Sequence, residues 1–490
     1  MRPMTNITLS TPALNERRRL AGLAAVFIAI ACAGLPYVVL GSLTLYPVVY
    51  PATMGALAVA LYSISRPVYI EFSMWVWFLT PFIRRLVDYG NGAFTEDSLV
   101  LTAPLVVGGV GILGLWTLLT EEAHGVRQAF ILMLVALAYG GAVGLVVNGP
   151  VKMGLDGLQW GIPLVTGALI LVDWRQYPRY RAALLRTITL GMGVLGLYGI
   201  YQFFVLPPWD RMWMESAPMQ SLGNPVPMQV RVFGMLNAPN PFAMTMAVGL
   251  LGLLAAGVQS RTEALLAKLA AIPAGAALLL CQVRTGWGAY VVGLLYVMFM
   301  ARRLNRWRVI VFLLLMVAAL TPLVLMEGVS GVLSERTSTL TDLENDNSFN
   351  DRMNMYSTAL PAVSTNPFGW GLGLPGSIDS GIIQLLAKLG WVGSALFMLG
   401  FAMLFLWVWR TRHYIPAHDP FVPVAVGITV AMTATLPFQN FFMEVQGVYL
   451  WGFLAIAIAG SRYHRAVAAF PAPEAAGAAE PPPRRAPAPV

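Results

Sequence analysis

The feature that most constrains this chain is a succession of about fourteen long apolar stretches, each divided from the next by a few charged or turn-forming residues. A bilayer core takes roughly 20 apolar residues per helical span. The stretches fall near residues 20–40, 46–64, 68–83, 99–119, 129–147, 158–173, 184–205, 242–258, 265–283, 286–301, 308–326, 389–409, 420–437 and 445–460. The second and third are short enough to form a re-entrant pair instead. Composition points the same way: 57% of residues are hydrophobic and 11% charged, against about 25% charged in a soluble domain. The expected fold class is an all-α polytopic membrane protein with about fourteen transmembrane helices.

The run after Arg17, Arg18 and Arg19 resembles a signal peptide as far as Ala31-Cys32-Ala33. Its apolar core continues through Leu40, beyond the usual length, and it is read as a retained first helix. Orientation follows from the basic residues, which are held on the cytoplasmic side of short loops. With the N-terminus inside, Arg66, Arg127, Arg175 to Arg186, Arg261, Lys268, Arg302 to Arg308, Arg410 and Arg412 all fall inside. About 22 of the 31 basic residues then lie on the inner side. The domains expected are a cytoplasmic N-terminus over 1–19, a transmembrane domain over 20–465 and a disordered, Pro/Ala-rich cytoplasmic tail over 466–490. Two outer segments, 206–241 and 327–388, exceed ordinary connections, and loops of that length are commonly functional.

Most of the net charge of +8 is therefore an orientation signal with some attraction to membrane lipids, and nothing in it indicates nucleic acid. The two cysteines, Cys32 and Cys281, sit in apolar runs, and the four histidines are scattered, so neither a disulfide framework nor a metal cluster is expected. Gly371-Leu-Gly-Leu-Pro-Gly376 matches the dinucleotide fingerprint in letters only. It lacks the strand and helix that motif requires, and reads instead as a turn allowing close backbone approach.

The exceptions to the orientation rule carry the information. Arg84, Arg85, Lys152, Arg211, Arg231, Arg284, Arg336, Arg352 and Lys388 fall on or near the outer face. An arginine at membrane depth costs about 2.5–3.5 kcal/mol and ordinarily faces a partner or a cavity. Arg231 stands just before a helix re-enters the membrane, Arg284 in a turn with almost no loop to solvate it, and Arg352 at the end of an acidic stretch. For Arg284 the alternative is snorkelling to headgroups, and for Arg352 an ion pair with Asp346 or Asp351. Guanidinium forks suit phosphate oxygens bidentately, so several converging on the outer leaflet suit a lipid pyrophosphate. Two outer carboxylates accompany them, Asp379 before an apolar helix, where a capping role is the alternative, and Glu444 in a brief turn. Trp209, Trp213 and Trp370 suit either sugar stacking or the interfacial aromatic belt.

Four stretches together resemble the O-antigen ligase and O-antigen polymerase (Wzy-type) superfamily of bacterial envelope glycosyltransferases. They are Arg231-Val-Phe-Gly with Asn237-Ala-Pro-Asn240, Arg284-Thr-Gly-Trp-Gly, Arg352 with Asn366-Pro-Phe-Gly-Trp-Gly-Leu-Gly373, and Asp379 through Gly390 and Gly393. The sequence departs from the ligases where their last helix commonly begins with His-Asn, since Asp379 and Ser380 stand there.

The resemblance implies a GT-C-like architecture in the bacterial inner membrane with its active site facing the periplasm. It implies metal-independent, inverting transfer of a glycan from an undecaprenyl-pyrophosphate donor to a glycan or lipid acceptor, without a cofactor. A chain-length regulator belongs among the implied partners. Arg231, Arg284 and Asp379 are the expected catalytic residues, with Arg352, Glu444, Asn240 and Trp370 as substrate contacts. The missing histidine favours a polymerase of lipid-linked repeat units, with a ligase acting on lipid A core as the alternative. A transporter of polysaccharide or lipid-linked sugar is the alternative outside enzymology, and the chain lacks the internal repeat such folds often carry.

Overall fold

A computed structural model describes residues 45–469 except 123, 218, 257–260, 301–305, 327–328, 332–346, 377–378, 412–414 and 417–418. The expected first helix, both chain ends, the acidic stretch 342–346 and Arg336 lie outside the described residues. The described residues are helical apart from turns and one isolated antiparallel bridge between Gly223 and Val230.

The helices are α1 (Tyr46–Ile64), α2 (Arg66–Asn91), α3 (Ala103–Gly109), α4 (Ile112–Glu121), α5 (His124–Val147), α6 (Pro150–Val172), α7 (Tyr177–Val205) and α8 (Pro208–Ser216). There follow α9 (Pro239–Ala256), α10 (Arg261–Leu280), α11 (Arg284–Met300), α12 (Arg306–Val324), α13 (Asn347–Thr365), α14 (Gly381–Thr411), α15 (Phe421–Ala434) and α16 (Glu444–Ala469). A 3₁₀ turn, Leu99–Thr102, leads into α3. Each apolar stretch within the described residues is thus a helix, because an uninterrupted apolar run in lipid must satisfy its backbone internally.

Nine segments among the described residues are long and apolar enough to cross a membrane, against about fourteen expected. One expected helix lies outside the described residues, and part of the remaining difference has physical causes. α11 and α15 are short, at 17 and 14 residues. α2 is long, at 26 residues, but it carries Glu71, Arg84, Arg85 and Asp88. Those four side chains are all buried, so α2 is an interior helix whose charges meet protein partners. Its Glu71 takes both ends of the Arg186 guanidinium, at 2.7 and 2.5 Å.

The bundle is built from helix pairs far apart in sequence: α5 lies along α14, α6 along α16, α7 along α10, and α11 along α15. Small residues permit the closest of these approaches. A side chain at Gly196 of α7 would meet the backbone of Pro273 and Ala274 in α10 at 2.6–2.8 Å. The outer segment 327–388 contains α13, Asn347–Thr365. This helix rests on α14 through Val363, Ile383 and Ala387, with Tyr356 and Trp370 packed against them.

Candidate functional site

The site is built on the turn from Arg231 to Pro241, which leads into α9. Gln202 of α7 accepts the backbone N–H groups of Phe233 and Gly234, at 2.9 and 2.8 Å. Arg85 of α2 donates to the Gly234 carbonyl at 2.6 Å and pairs with Asp210 of α8 at 2.8 Å, both side chains fully buried. Asp210 in turn accepts from Gln202 at 2.6 Å and from Tyr198 at 2.9 Å. Burial pushes the Asp210 carboxyl above its ordinary range, and the Arg85 charge with these two hydrogen bonds opposes that push. Gly234 has φ +53, and any β-carbon there would strike the Phe242 ring. Three helices therefore hold one short stretch of backbone, and Arg231 is its first residue.

From this frame Arg231 reaches the turn before α11. Its Nη1 donates to the Ser221 carbonyl at 3.0 Å and its Nη2 to the Gln282 carbonyl at 3.4 Å. The backbone joins the same two segments, Val232 N–H donating to Leu280 O at 3.2 Å. Gln282 itself sits at φ +56, a conformation costly for a residue with a β-carbon. Two residues on, Arg284 opens α11, and Thr285 donates to Asn240 at 3.4 Å. Arg231, Asn240 and Arg284 are thus brought to one place, and both arginines are half-buried.

The other expected residues fall differently. Arg352 lies on α13, with its side chain outside the described residues. Asp379 is exposed, and it is not the cap of α14: the next residue, Ser380, takes that place and accepts from Ile383 N–H at 3.4 Å. Ser380 also bonds Tyr356 at 2.8 Å, and Tyr356 donates to the Pro437 carbonyl, tying α13 to the start of α14 and to the turn before Glu444. Trp370 has its ring in the small cluster under α13 and its backbone carbonyl on Asn148, at 2.8 Å. Trp209 and Trp213 are used internally, Trp209 donating to Tyr198 at 2.8 Å and Trp213 lying 4.6 Å beneath Arg84.

The glycine turn 369–373 has a packing role. α14 is broken at Gly390, φ +63, and the freed backbone is taken up by the loop: Trp370 N–H donates to Ala387 O at 2.7 Å and Trp391 N–H to Pro367 O at 2.9 Å. A β-carbon on Gly371, φ +79, would lie 2.1 Å from Gly144 N. Lys388, one of the outer basic residues, is buried there on Asp156 at 2.7 Å, and Asp156 also accepts from Gly373 N–H at 2.7 Å. Glu444 stands at the first position of α16 with φ +53, among the few non-glycine residues at positive φ.

Sequence reasoning missed Gln202, Asp210 and Asp156. The signal available was a charged or amide residue inside an otherwise apolar helix, which in a membrane demands a partner. Arg84, Arg85 and Lys388 carried that signal too, yet their partners lie up to 232 positions away.

Fold and site together define a multi-pass helical membrane protein with a polar, arginine-bearing site at one end of its bundle. A family model described as O-Antigen ligase matches residues 269–398, and this supports the O-antigen ligase/polymerase family for the chain. The matched region runs from α10 into α14 and includes Arg284, Arg352, Trp370 and Asp379, with Arg231, Asn240 and Glu444 outside it. No curated protein matches the chain.

Proposed function

We propose that the protein is a membrane glycosyltransferase that polymerises undecaprenyl-pyrophosphate-linked oligosaccharide repeat units at the periplasmic face of the bacterial inner membrane. The family match supports glycosyl transfer, and the sequence at Asp379-Ser380, where the ligases commonly carry His-Asn, favours polymerase over ligase. The observation that carries the reading is the Arg231 to Gln282 hydrogen bond, which sets two arginine-bearing turns side by side.

In this reading the donor needs no further activation, since a lipid diphosphate is already a good leaving group. The barrier lies in the charge that collects on the departing diphosphate. Arg231 and Arg284 stabilise it, and they remain cationic at any working pH. Their positions are fixed before substrate arrives, so little reorganisation accompanies the reaction. Asn240, at the head of α9, orients the same group through its neighbour Thr285. Arg352, on α13, contacts diphosphate or glycan. The acceptor hydroxyl attacks the anomeric carbon from the opposite face and inverts it, and Asp379 or Glu444 takes its proton.

The test is reconstitution of the full chain in vesicles with undecaprenyl-diphosphate-linked repeat units alone, and then with lipid A core added. The proposal expects longer lipid-linked chains in the first case. Core-linked glycan appearing only in the second would establish a ligase, and movement of the lipid across the bilayer without new glycosidic bonds would establish a transporter.

A further inference from the structure

Between α2, the 3₁₀ turn with α3, α6, the head of α9 and the head of α16 lies a hollow of about 120 Å³. Trp77, Thr80, Gln159, Leu236, Asn237 and Glu444 are among its lining residues. Gln159 is nine residues into α6 from its Pro150 end, or roughly 13 Å at the helical rise, so the hollow reaches well inside the bundle. Leu236 and Asn237 belong to the same short stretch of chain that begins at Arg231. One segment therefore serves the arginine pair and the hollow together.

The lining selects against a diphosphate. It holds a carboxylate and contains no lysine or arginine. The charges acting on Glu444 through space are Lys388 and Asp156, which are paired with each other and oppose one another in their effect. What remains is an apolar wall with an indole, two side-chain amides, a hydroxyl and one carboxylate, which matches the faces and edges of a neutral sugar ring. Two further observations point to a ligand. Asn237 lines the hollow, and its Oδ1, sealed from solvent, has no hydrogen-bond partner, a costly condition that a small turn of the amide toward a donor in the hollow would relieve. Glu444 lines the hollow, is held in a left-handed backbone conformation and keeps an exposed surface next to the buried Val445. Asp379 is exposed as well, but it is not among the residues that line the hollow.

We infer that this hollow is the subsite for the terminal sugar of the acceptor chain, and that Glu444 rather than Asp379 takes the proton of the attacking hydroxyl. This rests on the glycosyl-transfer reading above. The hydroxyl oxygen bonds to the anomeric carbon of the donor as its proton passes to the Glu444 carboxylate. The carbon–oxygen bond to the diphosphate breaks, and its electron pair leaves with the diphosphate held at Arg231 and Arg284. Asn237 and Gln159 hold neighbouring hydroxyls of the acceptor sugar.

The test uses the full chain in vesicles, with undecaprenyl-diphosphate-linked repeat units from the source membranes as donor and acceptor. Glu444→Gln is expected to slow elongation by about 10²- to 10⁴-fold, the range of general-base catalysis. Its binding of undecaprenyl diphosphate should be unchanged. Glu444→Asp should recover part of the rate with a shifted acidic limb in the pH profile. Gln159→Leu, which leaves the carboxylate in place, should raise the acceptor concentration needed for half-maximal rate more than it lowers the maximal rate. Normal elongation in both Glu444→Gln and Gln159→Leu overturns the subsite while leaving glycosyl transfer intact. Loss of diphosphate binding in Glu444→Gln overturns it as well, by making the residue structural. Failure of the unaltered protein to elongate any chain overturns the functional reading itself, and the subsite with it.

Discussion

Arg85 donates to the carbonyl of Gly234 at 2.6 Å across 149 positions of sequence, and through that bond a charge buried in α2 holds the turn that presents Arg231. The same guanidinium pairs with Asp210 in a place where neither side chain sees solvent. Removing one partner of a buried pair strands the other, at about 3–5 kcal/mol. Arg85→Ala is therefore expected to lower the thermal midpoint of the detergent-solubilised protein sharply and to reduce elongation with it. The Arg85→Met, Asp210→Leu double variant should be more stable than Arg85→Ala, because no charge is left unpaired. Equal midpoints for the two would show that the pair does not hold the turn.

Arg231→Ala and Arg284→Ala should each slow chain elongation by roughly 10²- to 10³-fold, the scale of one lost transition-state donor. Acting on one group, they should not multiply: the double variant is expected to lose less than the product of the single losses. Lysine at either place should recover only part of the rate, since a point charge replaces a planar fork. Elongation rates of the two alanine variants, the two lysine variants and the double alanine variant, at matched insertion, provide the check.

Gly371→Ala should prevent proper assembly. The turn approaches α5 so closely that a β-carbon would lie 2.1 Å from Gly144 N, and its φ of +79 is unfavourable for alanine. We expect little protein to survive detergent extraction as a monodisperse species, measured by size-exclusion chromatography. Gly376→Ala is the comparison: its φ is also positive, but nothing lies within 4 Å of the added carbon, so its effect should be confined to backbone strain and be smaller.

At the other end of α16 from Glu444, Asp419 accepts from Tyr177 at 2.6 Å, bonds His464 at 2.8 Å and pairs with Arg181 at 3.1 Å. Burial alone would raise its carboxyl, but His464, Arg181 and Tyr177 outweigh that and hold it down to about 2. A depressed carboxylate stabilises the fold fully above its unfolded value, near 3.8, and this contribution is lost as pH falls towards 2. The amount is roughly 2 kcal/mol. Melting midpoints should therefore hold near pH 5 and drop between about pH 4 and 2. Asp419→Asn should be less stable at neutral pH and show a shallower acid limb, and an acid limb identical to the unaltered protein's would remove Asp419 from the account.

The helices were legible because an apolar run of membrane length has few alternatives, and each such stretch within the described residues is a helix. Which helices face lipid was less so. α2 reads as a span, yet its Glu71, Arg84, Arg85 and Asp88 are buried against protein, and burial depends on neighbours that a local reading does not contain. The arginine pair was legible as an anomaly, two cations where topology disfavours them. The clamp behind it was not, because Gln202 and Asp210 look ordinary until the fold brings α7 and α8 against α2. Asp379 shows the limit of reading a cap from sequence: one position decides it, and the structure gives the cap to Ser380.

The central claim is that Arg231 and Arg284 grip one diphosphate together. The most direct measurement is equilibrium binding of undecaprenyl diphosphate, without any sugar, to the purified full chain and to Arg231→Ala, Arg284→Ala and a surface control, Arg211→Ala, the control residue being exposed on α8. The account predicts that both site variants bind at least tenfold more weakly while the control binds as the unaltered protein does. Unchanged affinity in both site variants would contradict it.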